Sequence, residues 1–207
     1  SSSLVGSEMC IRDSSITVSS ALEDGTYSLK ARVTDSAGNV SSKSSSISIT
    51  IDTSAPAAPT SLATSNSLTN DNTPTITGKA EPGSTVTIFN GKIILGTGTA
   101  DSSGNFSITL SSALEDGTYS LTAKATDSAD NTSSESSALS ITIDTTAPNA
   151  PTSLTQISNT NDSTPTISGK AEPGSTVTIL NGTVVLGTVT ADSSGNFSIT
   201  LSTALED

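Results

Sequence analysis

The residues of this sequence that could do chemistry are carboxylates, and they recur in turns. Asp52, Glu81, Asp101 and Asp127 form one series; Asp144, Glu172 and Asp192 repeat it further along, and Asn131 follows Asp127 by four residues. Carboxylates, Asn amides and backbone carbonyls are hard oxygen donors, which Ca²⁺ takes in sets of roughly six to eight. Mg²⁺ fits less well, because it keeps several of its waters and seldom sits in an all-protein cage. Zn²⁺ prefers nitrogen and sulfur, and the chain has no His and a single Cys. The same residues also have a local reading, since Asp and Asn side chains cap turns through their own backbone.

Catalysis lacks its usual parts. Without His, the Ser-His and Cys-His nucleophile pairs are absent. Paired carboxylates could serve as a glycosidase dyad, but these lie on repeating turns, and only 2% of the residues are aromatic, too few to line a sugar subsite. Gly-rich phosphate loops of the recognised kinds are missing. A net charge of −12 argues against nucleic acid and against anionic membrane surfaces. It fits a solvated surface that repels its own copies, or one that collects cations. No stretch approaches the run of about 20 apolar residues that spans a bilayer. A lone Cys10 excludes an internal disulfide.

The elements that would position the carboxylates come from an internal repeat. Ala21–Tyr27 recurs as Ala113–Tyr119, and Ile51–Pro56 recurs as Ile143–Pro148, both at a shift of 92 residues. Gly78–Ser84 recurs as Gly169–Ser175 at a shift of 91, so one residue is lost between Leu154 and Pro165. The expected organisation is the back part of a repeat at 15–52, a complete repeat at 53–144 and the front part of a third at 145–207. Residues 1–14 are read as a non-native leader: Met9-Cys10-Ile11-Arg12-Asp13-Ser14 resembles the translation of a transposon adapter used in DNA library preparation. No charged-then-apolar signal opens the chain, which bears little on secretion when a repeat is already under way.

Within the complete repeat the apolar period is two, which predicts half-buried strands. Ile76, Gly78 and Ala80 share a face, as do Val86 and Ile88, then Phe106, Ile108 and Leu110. Tyr119, Leu121, Ala123 and Ala125 form another inward face, and Leu139, Ile141 and Ile143 the last. A strand is expected at Ile93–Ala100 and a short one near Thr60–Leu62. Asn90-Gly91 reads as a type I′ hairpin turn. About seven strands at this spacing predict an all-β, immunoglobulin-like β-sandwich per repeat. Asp116-Gly117-Thr118-Tyr119 resembles a tyrosine corner, and Tyr27 repeats it.

If the strands run alternately up and down, the loops 80–84, 101–105 and 127–131 share one end, with Asp52 beside it. Asp52, Glu81, Asp101, Asp127 and Asn131 are then expected to converge on one junction, and Asp144, Glu172 and Asp192 on the next. Asp71, Glu115 and Asp116 sit at the opposite end and could add ligands there.

Thr-Pro-Thr-Ile-Ser-Gly-Lys-Ala-Glu-Pro-Gly-Ser-Thr-Val at 164–177, Ala-Asp-Ser-Ser-Gly-Asn-Phe at 191–197 and Ile-Asp-Thr-Thr-Ala-Pro at 143–148 resemble the bacterial Ig-like repeats of giant surface adhesins and biofilm-associated proteins. The resemblance covers about 15–207. It implies a secreted, cell-surface stalk with structural Ca²⁺ at the domain junctions. The expectation is therefore a non-enzymatic extender segment, partnered by neighbouring repeats of its own chain, with any adhesion target elsewhere. The alternative is an Ig-like spacer or ligand-binding module of a secreted hydrolase. One further expectation concerns the two partial repeats. Each leaves strand edges unpaired, and because they derive from nearly the same repeat, one chain's tail could complete another chain's head.

Overall fold

A computed structural model describes residues 17–18 and 20–202. The leader expected at 1–14 lies outside them. The described chain is all strand, turn and loop, with fourteen strands. It forms two compact units. One is built on the residues up to Ser67 with Thr73–Leu114 and Thr118–Thr142; the other is built on Leu68–Asn72, Glu115–Gly117 and the residues from Ile143 onward.

The first strands, β1 (Gly25–Leu29) and β2 (Ile47–Ile51), form an antiparallel pair. The complete repeat follows with β3 (Thr60–Ala63), β4 (Leu68–Thr69), β5 (Thr75–Lys79), β6 (Thr85–Asn90), β7 (Ile93–Thr99), β8 (Asn105–Thr109), β9 (Gly117–Thr126) and β10 (Leu139–Ile143). These make a five-stranded sheet in the order β4-β10-β9-β6-β7 and a three-stranded sheet in the order β3-β5-β8. Two sheets facing each other over alternating residues are the sandwich that the period of two requires. The last strands are β11 (Thr166–Lys170), β12 (Thr176–Asn181), β13 (Val184–Thr190) and β14 (Asn196–Thr200), paired as β11-β14 and β12-β13.

The core of the complete repeat is made of the residues whose alternation the sequence displays. Ile76, Val86, Ile88, Leu121, Ala123 and Ala125 are wholly buried, and Ile141 and Ile143 nearly so. Small residues let the sheets approach. A Cβ at Gly98 would lie 2.8 Å from the Ile108 side chain, and one at Gly78 would lie 2.5 Å from the Phe106 ring. The third repeat keeps the second notch, with Gly169 under Phe197, and has Gly187, the counterpart of Gly96, under Ile199, while Val189 stands where Gly98 would be.

Three local features differ from the sequence reading. The β6–β7 hairpin pairs Asn90 with Ile93, so its two loop residues are Gly91 and Lys92, and only Gly91 takes positive φ, at 58°. That is the pattern of a type II′ turn, one residue later than Asn90-Gly91. The register then slips between Ile88 and Phe89, whose partners are Gly96 and Ile94. The bulge residue, Leu95, is buried beside Gly96, which a plain alternation forbids. Finally, β4 is a strand of two residues, too short for any periodicity to reveal.

The Ser-rich stretch after β9 is also ordered by pairing. Ser133 and Ser136 bond through their backbone N–H to the carbonyls of Ala125 and Ala123. Their hydroxyls accept the Ala125 and Ala123 N–H groups, each at 2.9 Å. A serine every third residue thus satisfies one edge of β9, and Ser41 and Ser44 do the same for Val33 and Ala31 in the first repeat.

Candidate functional site

The carboxylates occupy two kinds of place: turns within a repeat and the segment that leaves it. In the turns, Asp side chains bind their own backbone. Asp101 Oδ1 accepts the N–H groups of Ser103 and Asn105 at 2.8 Å each, and Asp192 does the same for Ser194 and Asn196. Asp127 Oδ1 accepts from Ala129 and Asn131, and Asp35 Oδ1 from Ala37 and Asn39. In each case the Asn amide donates back to the same carboxylate. The turns at 80–84 and 101–105 are laced together, since Ala80 N–H donates to Gly104 O and Gly83 N–H to Ala100 O. Lys79 Nζ donates to Asn105 Oδ1 at 2.8 Å, and Lys170 to Asn196 likewise.

The structure connects Asp52 to the 127–131 turn through Asn131, whose amide donates to the Asp52 carbonyl at 3.0 Å and to Asp127 Oδ2 at 2.9 Å. The Asp52 carboxylate itself accepts from Ser54 N–H, and the Asp144 carboxylate from Thr146 N–H. Glu81 and Glu172 are exposed, and their carbonyls take the Ser84 and Ser175 N–H groups. Among the described residues no three acidic, His or Cys side chains come together in a group able to hold a metal ion.

The segment leaving each repeat carries a feature that the sequence reading did not isolate. Asp24 Oδ1 accepts Thr53 N–H at 3.0 Å and the Thr53 hydroxyl at 2.8 Å, while Oδ2 accepts the Ser54 hydroxyl at 2.8 Å. Asp116 repeats this with Thr145 N–H at 2.9 Å, the Thr145 hydroxyl at 2.7 Å and the Thr146 hydroxyl at 2.7 Å. Each Asp sits in a Leu-Glu-Asp-Gly turn just before the strand that pairs with the repeat's last strand. That pairing carries the exit segment back to the turn: Gly25 lies opposite Ile51. Both oxygens of each carboxylate are used, and the exchange of Ser54 for Thr146 keeps the hydroxyl. The separation of 29 residues between Asp and Thr is the same in both copies. That joint recurrence was the available signal. Tyr27 closes the first turn from the other side, its hydroxyl donating to Glu23 O at 2.8 Å, as the tyrosine-corner reading expects.

These contacts hold several carboxyls below the ordinary Asp value of 3.8. Asp116 is lowered first by the Thr145 hydroxyl, then by the Thr145 backbone; Asp24 is lowered first by the Ser54 hydroxyl. Asp101 and Asp192 are lowered chiefly by the backbone N–H of Asn105 and Asn196, and Asp35 and Asp127 by the Asn39 and Asn131 amides. A group depressed in the fold contributes stability above its unfolded pKa and loses it as pH falls through the folded one. The melting temperature is expected to be flat from neutral pH to about pH 5 and to fall below about pH 4. Asp116→Ala should remove part of that fall and abolish slow exchange of the Thr145 amide. Unchanged Thr145 protection in Asp116→Ala would sink the clamp.

Of the five aromatic residues, Tyr27, Phe89 and Tyr119 are half-buried, and Phe106 and Phe197 are buried.

Two family models match the chain. One described as a bacterial Ig-like domain covers residues 12–53 and 55–145, and one described as a bacterial Ig domain covers 147–207. No curated protein matches. Among solved structures, one titled "Crystal structure of tetra-tandem repeat in extending region of large adhesion protein" is 24% identical with a TM-score of 0.38, over 87% of this chain and 49% of that one. A second, titled "Biofilm associated protein - BSP domain", is 26% identical with a TM-score of 0.29, over 70% of this chain and 24% of that one. The chain thus spans about half the length of the first and about a quarter of the second.

Proposed function

The chain belongs to the bacterial Ig-like domain family, its repeats covered nearly end to end by that family's models, and on that footing we propose that it is an extender segment of a secreted bacterial surface adhesin. In this reading it supports cell adhesion or biofilm formation by separating an adhesive region from the cell, and it is neither an enzyme nor the adhesive region itself. The observation that carries the proposal is the repeated clamp. Asp24 and Asp116 tie the segment leaving the last strand to the turn at the base of the same repeat, with the same atoms each time. A spacer needs identical couplings in series; a recognition site needs a distinctive surface, which near-identical repeats do not offer. The motifs at 143–148, 164–177 and 191–197, which resemble giant-adhesin repeats, support the same reading.

Pulling a single molecule of the 207-residue chain by its ends tests this. One cooperative unfolding event is expected from the complete repeat, releasing about 300 Å for roughly 90 residues at about 3.4 Å each. Featureless stretching would count against a mechanical role, and saturable binding of a soluble glycan would favour the alternative, a binding module of a secreted hydrolase.

Calcium at the inter-repeat segments is a separate part of the proposal. It is supported by the net charge of −12 and by the recurrence of Asp52 and Asp144 at equivalent places, not by an assembled cage. Calorimetric titration is expected to give a Kd on the order of 10⁻⁴–10⁻³ M, usual for extracellular modules, with a matching rise in melting temperature. Neither heat nor a thermal shift at about ten times that concentration would remove calcium from the proposal and leave the extender reading in place.

A further inference from the structure

Four glycines of this chain follow an Asn or an Asp: Asp24-Gly25, Asn90-Gly91, Asp116-Gly117 and Asn181-Gly182. Such pairs can react with themselves. The glycine nitrogen, with no side chain on its own residue to hinder it, reaches the carbonyl carbon of the preceding side chain and closes a five-membered ring. Whether the ring closes depends on how that side chain is held, and the structure holds the four differently. Asp24 has both carboxylate oxygens occupied by Thr53 and Ser54, and Asp116 has both occupied by Thr145 and Thr146. An ionised carboxylate bonded in this way is a poor electrophile.

Asn90 is held by nothing. Its amide makes no hydrogen bond among the described residues, and neither does the Gly91 N–H. Asn90 ends β6 opposite Ile93, so the amide stands at the mouth of a two-residue loop. A Cβ at Gly91 would meet nothing within 4 Å, which leaves the loop room to turn. Asn181-Gly182 repeats the arrangement, with Gly182 at φ 60° and nothing within 4 Å of its would-be Cβ. The asparagines of the Asp-capped turns are locked instead. The Asn105 amide donates to Asp101 Oδ2 at 3.1 Å while its oxygen accepts Lys79 Nζ at 2.8 Å. Asn131 donates to Asp127 Oδ2 at 2.9 Å and to the Asp52 carbonyl at 3.0 Å. Phe106 and Thr132 follow them, and their side chains crowd the nitrogen that would have to attack.

We propose that Asn90-Gly91 is a self-modification site, at which the Asn90 amide is lost as ammonia and replaced by a carboxylate without an enzyme, and that Asn181-Gly182 is its counterpart. Asn is among the thermolabile side chains, and here the fold leaves it unprotected. Base takes the Gly91 N–H proton and the nitrogen attacks Asn90 Cγ. The new N–Cγ bond forms as the Cγ–Nδ2 bond breaks, and ammonia leaves with a proton. Water then opens the cyclic imide at one of its two carbonyls. Opening at Cγ gives an ordinary aspartate; opening at the backbone carbonyl gives an isoaspartate, whose main chain runs through the former side chain. Both products add a negative charge to a chain that already carries −12. The isoaspartate also lengthens the main chain by one carbon at a residue paired to Ile93 on one side and Leu121 on the other, which loosens the mouth of the hairpin. The site is independent of the extender reading.

Peptide mapping of the folded 207-residue chain tests this. The chain is incubated in warm, mildly alkaline buffer, digested with trypsin and compared with a zero-time digest. Cleavage after Lys79, Lys92 and Lys124 isolates peptide 80–92, which holds Asn90, from peptide 93–124, which holds Asn105 and Asp116. Peptide 80–92 should split into its starting form and two later products of one mass, each heavier by about 1 Da from the exchange of NH2 for OH. Asn90 should convert about tenfold faster than Asn105 or more, because the bonds holding Asn105 must break before its amide can turn. Peptide 93–124 should keep both its mass and its single chromatographic peak, since isomerisation at Asp116 would show as a second peak of unchanged mass. Asn90→Gln, which would need a six-membered ring, should leave peptide 80–92 unaltered. An unconverted Asn90 in the folded chain overturns the inference, whether or not the free peptide 80–92 reacts. So does conversion of Asn105 at the rate of Asn90, because reactivity would then ignore the contacts that separate them.

Discussion

Replacing Ile88 by Ala should unfold the complete repeat at a temperature roughly 10–30 °C lower, from a loss of about 2–5 kcal/mol. Ile88 is wholly buried in β6, with β7 on one side and β9 on the other. Its cross-strand partners are Gly96 and Ala123, which have no side-chain atoms able to swing into the space left behind. The cavity cannot collapse, which puts the cost toward the upper part of the range. Ile93, 64% exposed on β7, is the internal control. Its replacement by Ala should stay within about 0.5 kcal/mol. Denaturant titration of both variants measures the difference. A loss below about 1 kcal/mol for Ile88→Ala would mean that the two sheets do not close over this residue. The same substitution should lower the force of the single cooperative event expected when the molecule is pulled.

Gly104→Ala should cost about 2–4 kcal/mol, and Gly83→Ala only about 1–2, although both glycines hold positive φ. Gly104 has φ 76° and Gly83 φ 80°. The backbone strain of an L residue is therefore alike at the two positions. The surroundings are not: a Cβ at Gly104 would lie 2.6 Å from the Ala80 carbonyl oxygen, and one at Gly83 meets nothing within 4 Å. The obstacle at 104 is backbone that itself takes part in lacing the two turns, since Ala80 N–H donates to Gly104 O at 2.9 Å. Relieving the clash means lengthening that bond. Gly195 repeats the arrangement, with φ 76° and the Ala171 carbonyl oxygen 2.5 Å from its would-be Cβ. Equal costs at Gly104 and Gly83 would show that the turns at 80–84 and 101–105 are not in contact in solution.

Much of this molecule is written locally in its sequence. A residue's face in a strand depends only on whether its position is odd or even, so Ile76, Val86, Ile88, Ile108, Leu121, Ile141 and Ile143 could be placed in the core from spacing alone. The repeat, the all-β class and the turn carboxylates follow from the same local evidence, and Asp101, Asp127 and Asp192 do cap turns. Tertiary structure decided what depends on two strands meeting. The β6–β7 loop falls on Gly91-Lys92 because cross-strand register and a bulge at Leu95 outweigh the preference of the Asn90-Gly91 pair. Ser133 and Ser136 become pairing groups only because β9 passes beside them. Asp116 reaches Thr145 and Thr146 because β9 and β10 end together, bringing residues 29 positions apart within 2.9 Å.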